Sequence, residues 1–153
     1  MNGVILQKLP NPFLMKNGKI KNEVLSDLLR RFPNWLGQKM NEYKERETDL
    51  PFDQHYLKAL IAPRYFLQTD AVEDIWANPQ GSYGTWLAAK EVYKFLNAQN
   101  KILINYREGG HAHTLDDYNI LATIIYCLKN NFWQGLRLKF PLNWCRVCRR
   151  LPS

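Results

Sequence analysis

Two histidines stand one residue apart behind a pair of glycines, in Arg107-Glu108-Gly109-Gly110-His111-Ala112-His113. A Gly-Gly step lets a backbone leave a strand abruptly and present the next side chains at its edge. A general base needs that kind of placement, because it must come within hydrogen-bond reach of the proton it removes. Earlier in the chain Asp70, Glu73 and Asp74 crowd one short acidic segment. A carboxylate in such a segment can hold an imidazole in one tautomer and stabilise its charged form. Taken singly, each group has a plainer reading. His111 and His113 are then polar loop residues, and the acids are helix caps or solvated charges. Residue type alone does not choose among the three acids or between the two histidines.

The elements that must position these groups can be read from apolar spacing. Residues 1–21, with Pro10, Pro12 and Gly18, are expected to be irregular. Val24, Leu25, Leu28 and Leu29 recur at helical spacing until Pro33 ends the run. Trp35 to Asp49 is polar, a surface connection with a short helical turn. Pro51-Phe52-Asp53 opens a helix whose apolar face is Tyr56, Leu57, Leu60 and Ile61, stopped by Pro63. Tyr65-Phe66-Leu67 is a buried strand that gives way to the acidic segment. A long helix from about Tyr83 to Asn97 should bury Trp86, Ala89, Val92, Tyr93 and Leu96. Ile102-Leu103-Ile104 is the next strand. After the Gly-Gly break and the histidines, Thr114 and Asp117 form a capping pair opening a last helix. That helix should bury Leu115, Tyr118, Leu121, Ile124, Ile125 and Leu128. Strands alternating with helices predict a parallel sheet flanked by helices. Such sheets bind ligands beyond the carboxyl ends of their strands, where both the acidic and the histidine loops fall.

An acid after one strand and a histidine after the next is the acid-then-histidine order of the α/β-hydrolase triad, in which the serine comes first on a G-x-S-x-G elbow. No such elbow occurs in these 153 residues. Ser26 sits in the first helical stretch. Ser82 follows the acid and lacks the glycine two positions before it, and Ser153 is the last residue. Cys145-Arg146-Val147-Cys148 is one C-x-x-C without the second pair or spaced histidine that zinc would need. The remaining cysteine is Cys127, and an odd count with two bunched together does not describe a disulfide framework. There is no phosphate-cradling glycine loop. No metal and no cofactor is therefore expected.

The length suits one domain with enough apolar residues for a core, since 46% are hydrophobic and 23% charged. No apolar stretch is long enough to cross a bilayer, so no membrane partner is expected. Met1 to Pro12 lacks the form of a signal peptide, because Gln7 and Lys8 interrupt its apolar run. The chain is either cytoplasmic as written or begins further upstream. The formal charge of +7 is unevenly spread: +3 over residues 1–49, −1 over 50–131 and +5 over 132–153. A nucleic-acid binder gathers basic residues with aromatics on a folded face, so this distribution argues against nucleic acid as a partner.

Four stretches in order resemble the C-terminal half of the glucuronoyl esterase family of carbohydrate esterases and its acetylxylan-esterase-like relatives. They are Leu50-Pro51-Phe52-Asp53-Gln54-His55, Ala59-Leu60-Ile61-Ala62-Pro63-Arg64, Asp74-Ile75-Trp76-Ala77-Asn78-Pro79, and residues 107–113. Phe32-Pro33-Asn34-Trp35 extends the likeness upstream, to roughly 30–130 in all, and 50–118 is the best-matched part. The resemblance implies an α/β fold, the C-terminal half of an α/β-hydrolase with an incomplete parallel sheet over residues 1–131. It implies a serine esterase without metal, acting on a uronic acid or acylated sugar of plant cell-wall xylan. Asp74 matches the acid that follows this strand in many bacterial members, and Trp76 a tryptophan lining the sugar site. By spacing from Trp76, His113 corresponds to the catalytic histidine of the glucuronoyl esterases. In the acetylxylan-esterase-like branch a single histidine falls where His111 is, so His113 is favoured and His111 stands next. Asp53 and His55 match a signature to which a structural role is assigned. Family members are commonly secreted or periplasmic. The family's serine motif is absent here, so the chain is expected to be a fragment inactive alone. A non-catalytic carbohydrate-binding or interaction module is the rival reading. Residues 132–153 are unlike the family's ending and read as a basic extension. Half a sheet leaves an open edge, which predicts self-association.

Overall fold

The computed structural model describes residues 23–130. The basic extension with Cys145 and Cys148, and the irregular opening expected over 1–21, lie outside the described residues. Two strands, β1 (Phe66–Ala71) and β2 (Ile102–Arg107), pair in parallel, with Phe66 opposite Ile102 and Ala71 opposite Arg107. A parallel pair requires a crossover. Here it is a long helix over Pro79–Phe95, with shorter helices at Leu25–Arg31 and Gln54–Ala59 before the sheet and a last one at Leu115–Lys129. In chain order these helices are α1 (Leu25–Arg31), α2 (Gln54–Ala59), α3 (Pro79–Phe95) and α4 (Leu115–Lys129). Two 3-10 turns, Gln38–Tyr43 and Glu47–Asp49, fill the connection between α1 and α2.

The crossover begins earlier than apolar spacing suggests. Asn78 takes the left-handed conformation (φ 55°) and its side-chain oxygen accepts from the Gly81 N–H at 3.0 Å. Pro79 then supplies a first helical residue whose missing N–H costs nothing. This cap starts α3 despite Gly81 and Gly84, which favour a helix little. Trp86, Ala89 and Tyr93 of α3 pack with Ala98 and Ile102, and Phe66 and Ile104 close the same core. Tyr93 Oη donates to the Arg64 carbonyl at 3.0 Å, and Tyr106 Oη to the Pro79 carbonyl at 2.6 Å. The end of the crossover helix is thus tied to the segment just before β1, and its start to β2. A smaller cluster of Leu25, Leu28 and Leu29 packs with Phe32, Leu36, Met40 and Tyr43.

Three expected faces are narrower than their sequences suggest. Val92 and Leu96 of the α3 stretch are exposed. In α2, Tyr56, Leu57 and Leu60 are exposed while Lys58 is buried. In α4 only Ile124 and Cys127 of the apolar positions are buried, and Leu115, Tyr118, Leu121 and Ile125 lie open. A helix buries its stripe only where another layer covers it, and two strands are too narrow a layer to cover all three.

Lys58 is held by three acceptors: Gln68 Oε1 at 2.6 Å, Thr85 Oγ1 at 2.6 Å and the Ser82 carbonyl at 3.1 Å. Burial lowers its pKa from 10.5 to about 8, against the opposing pull of Asp70 and Asp53. The native chain therefore binds fewer protons at this site than the unfolded chain between those two values. Stability from this group rises as pH climbs through that window, by something on the order of 3 kcal/mol. Urea unfolding at pH 7 and pH 10 should show the rise in the wild type and a smaller one in Lys58→Met. Equal slopes in the two proteins would contradict this account of Lys58.

Candidate active site

Because β1 and β2 end in register, their following loops leave from the same carboxyl edge. The ladder continues past the strands: the Arg107 carbonyl accepts from Val72 N–H at 2.9 Å and the Gly109 carbonyl from Glu73 N–H at 3.2 Å. The acidic and histidine loops are therefore stitched together by backbone before any side chain meets. Asp74 then caps a 3-10 turn at Ile75–Ala77, its Oδ1 accepting from the Ala77 N–H at 3.4 Å. Its other oxygen, Oδ2, stands 2.8 Å from His111 Nδ1. A carboxylate only accepts, so Nδ1 is the donor and Nε2 is left facing outward with its lone pair. The Asp74 carboxyl is mostly covered, whereas the His111 ring is 85% exposed.

The other candidates lie elsewhere. Asp70 is inside β1 and accepts from Gln68 Nε2, and Glu73 is exposed beside the pocket. The His113 ring instead meets Tyr118 edge-on at 5.8 Å. It also lies near Asp117 and helps to hold that carboxyl below its ordinary range. Trp76, 38% exposed, sits with Asp74, Ile75, Gly110 and His111 around a pocket of about 500 Å³. The Arg31 guanidinium lies 5.2 Å from the centre of its ring, a cation–π distance. Asp53 is the N-cap of α2, accepting from the Gln54 N–H at 2.6 Å, with His55 Nδ1 3.8 Å from its second oxygen. Among the described residues no group of three or more His, Cys, Asp or Glu could hold a metal ion.

Arg107 was not singled out by sequence reasoning. Its side chain leaves the last position of β2 on the face opposite Tyr106 and is buried. Nε donates to Asp117 Oδ2 at 2.6 Å, and the two terminal nitrogens reach the carbonyls of Glu108 (3.1 Å), Gly110 (3.2 Å) and Ala112. Asp117 also accepts from the Thr114 N–H at 2.9 Å and hydroxyl at 3.3 Å, so the α4 cap and the guanidinium share one carboxylate. Burial pushes the Asp117 pKa up, but the Thr114 bond and Arg107 outweigh it, and the net shift is below the ordinary value. Gly109 takes φ +91°, a conformation strained for any residue with a Cβ. An arginine at the end of an apolar strand run, separated from a Gly-Gly pair by one residue, is the signal that could have drawn attention to the group.

Comparison with known proteins gives a consistent picture. Residues 15–97 match the family model described as glucuronyl esterase, fungi. A carbohydrate esterase, MZ0003, from an unknown prokaryotic organism is 36% identical over 104 residues, which are 58% of this chain and 24% of that protein. The 4-O-methyl-glucuronoyl methylesterase of Cerrena unicolor is 30% identical over 79 residues, 52% of this chain and 16% of that one. Among solved structures, a carbohydrate esterase family 15 glucuronoyl esterase from Caldicellulosiruptor kristjansonii superposes with a TM-score of 0.63 at 37% identity, over 66% of this chain and 26% of that one. A promiscuous esterase of the same family from a marine bacterial metagenome gives 0.62 at 30% identity, over 65% and 29%. The chain thus spans about a quarter or less of the length of these curated relatives. The two parallel strands and their flanking helices are part of an α/β-hydrolase sheet.

Proposed function

The chain belongs to the glucuronyl esterase family, and from that premise we propose that it carries the acid and histidine of a serine carboxylic ester hydrolase acting on glucuronoyl esters of plant cell-wall carbohydrate. The observation that carries this reading is the 2.8 Å bond from His111 Nδ1 to Asp74 Oδ2. In the proposed cycle a serine Oγ attacks the ester carbonyl while His111 Nε2 takes its proton, and Asp74 stabilises the imidazolium that results. His111 then returns the proton to the departing alcohol. Water repeats the sequence on the acyl-enzyme and releases the uronic acid. Trp76 lines the sugar side of the pocket, where an indole face suits a pyranose. His111 is preferred to His113 as the base because it alone of the two bonds the acid.

The sequence holds no G-x-S-x-G elbow, so this reading requires a serine from outside these 153 residues. The chain alone is expected not to turn over a glucuronoyl methyl ester. Fusion to the serine-bearing segment of a family relative should restore turnover, and a folded fusion without turnover would count against the proposal. The missing elbow also favours a second reading, a carbohydrate-binding module that uses Trp76. That reading predicts saturable binding of glucuronoxylan by the unfused chain, abolished by Trp76→Ala.

A further inference from the structure

We propose that Arg107 is the positioning residue of the histidine loop, whose guanidinium sets the turn that aims His111 at Asp74. The inference rests on the functional reading above, and it comes from an alternation in the loop's carbonyls. Those of Arg107 and Gly109 accept from Val72 and Glu73 in the acidic loop. Those of Glu108, Gly110 and Ala112 accept from the Arg107 guanidinium. From Arg107 to Gly110 successive carbonyls thus go alternately to the acidic loop and to the guanidinium, and one side chain fixes the peptide plane that enters His111 and the one that leaves Ala112. Between the anchored Gly110 and Ala112 carbonyls the His111 ring reaches Asp74, and His113 beyond the second anchor meets Tyr118. Four N–H bonds of the planar fork are used in this way, and an ammonium group could not span the same three carbonyls and a carboxylate. Asp117 neutralises the buried charge and ties the arrangement to the first turn of α4.

An arginine that merely held α4 to the sheet would affect stability without changing the imidazole. The test therefore reads the ring. In the full chain labelled with ¹⁵N-histidine, His111 should show the Nδ1–H tautomer that donation to Asp74 requires. Two variants separate the roles: Arg107→Lys, which keeps a cation beside Asp117, and the double variant Arg107→Met with Asp117→Asn, which leaves no buried charge unpaired. In both, the His111 Nδ1–H signal should be lost and amide exchange over residues 109–113 should quicken by about tenfold or more. The His55 signals and the protection of β1 should stay as they were. A folded variant that keeps the His111 signal and the loop protection overturns the proposal. If the double variant does not fold, Arg107→Lys decides alone. A wild-type chain without the His111 signal would instead remove the functional reading, and loop exchange would still report on Arg107.

Discussion

Replacing His111 by alanine in the fusion that restores the serine is expected to lower kcat by roughly 10⁴-fold with little change in KM. The size of the loss follows from chemistry. Without Nε2 the serine has no Asp74-oriented imidazole to take its proton, and Asp74 has no imidazolium to stabilise. His113→Ala should leave kcat close to that of the parent fusion, because that ring meets Tyr118 edge-on and it is His111 that bonds Asp74. Initial-rate kinetics on a glucuronoyl methyl ester check both. The reverse pattern, with His113→Ala dead and His111→Ala active, would contradict the assignment of His111 as the base.

The second large effect concerns stability. Asp117→Ala is expected to cost about 3–5 kcal/mol, because it leaves the Arg107 guanidinium buried with no carboxylate. Two donors at the start of α4, the Thr114 N–H and hydroxyl, lose their acceptor as well. The pH dependence has a fixed sign. The native pKa of Asp117 lies below its ordinary 3.8, so its contribution is whole above that value. It is lost as pH falls through the lower native value. Urea unfolding of the wild type and Asp117→Ala should therefore differ most near neutrality and converge in acid. A constant gap across pH would show that the charge of Asp117 is not the source.

How much of this could be read from sequence depends on which property each residue expresses locally. The two apolar runs around Phe66 and Ile102 announced themselves as strands, and parallel pairing followed from the helix between them. The capping pair at Thr114 and Asp117 was equally local. Lys58 was not legible, since a lysine amid α2 reads as solvated, and its burial depends on Gln68 and Thr85 from two other elements. Nor was Arg107, whose role needs both the face parity of β2 and the path of the following loop. The two histidines illustrate the limit most sharply. Spacing from Trp76 favoured His113 and the acetylxylan-esterase-like relatives kept His111 next, and the residues alone could not reveal that the His111 ring stands 2.8 Å from Asp74. The apolar faces of α2 and α4 failed for another reason. Periodicity reports what a helix can bury, and the described residues do not supply a layer wide enough to cover it.

The Asp74–His111 bond itself is open to one direct measurement. A ¹⁵N-histidine spectrum of the full chain should contain a hydrogen-bonded Nδ1–H resonance that belongs to His111 and vanishes in Asp74→Asn, while the His55 and His113 signals hold their positions. If that resonance belonged to His113, or survived the loss of the Asp74 carboxylate, the acid and the imidazole would not form the pair on which the esterase reading depends.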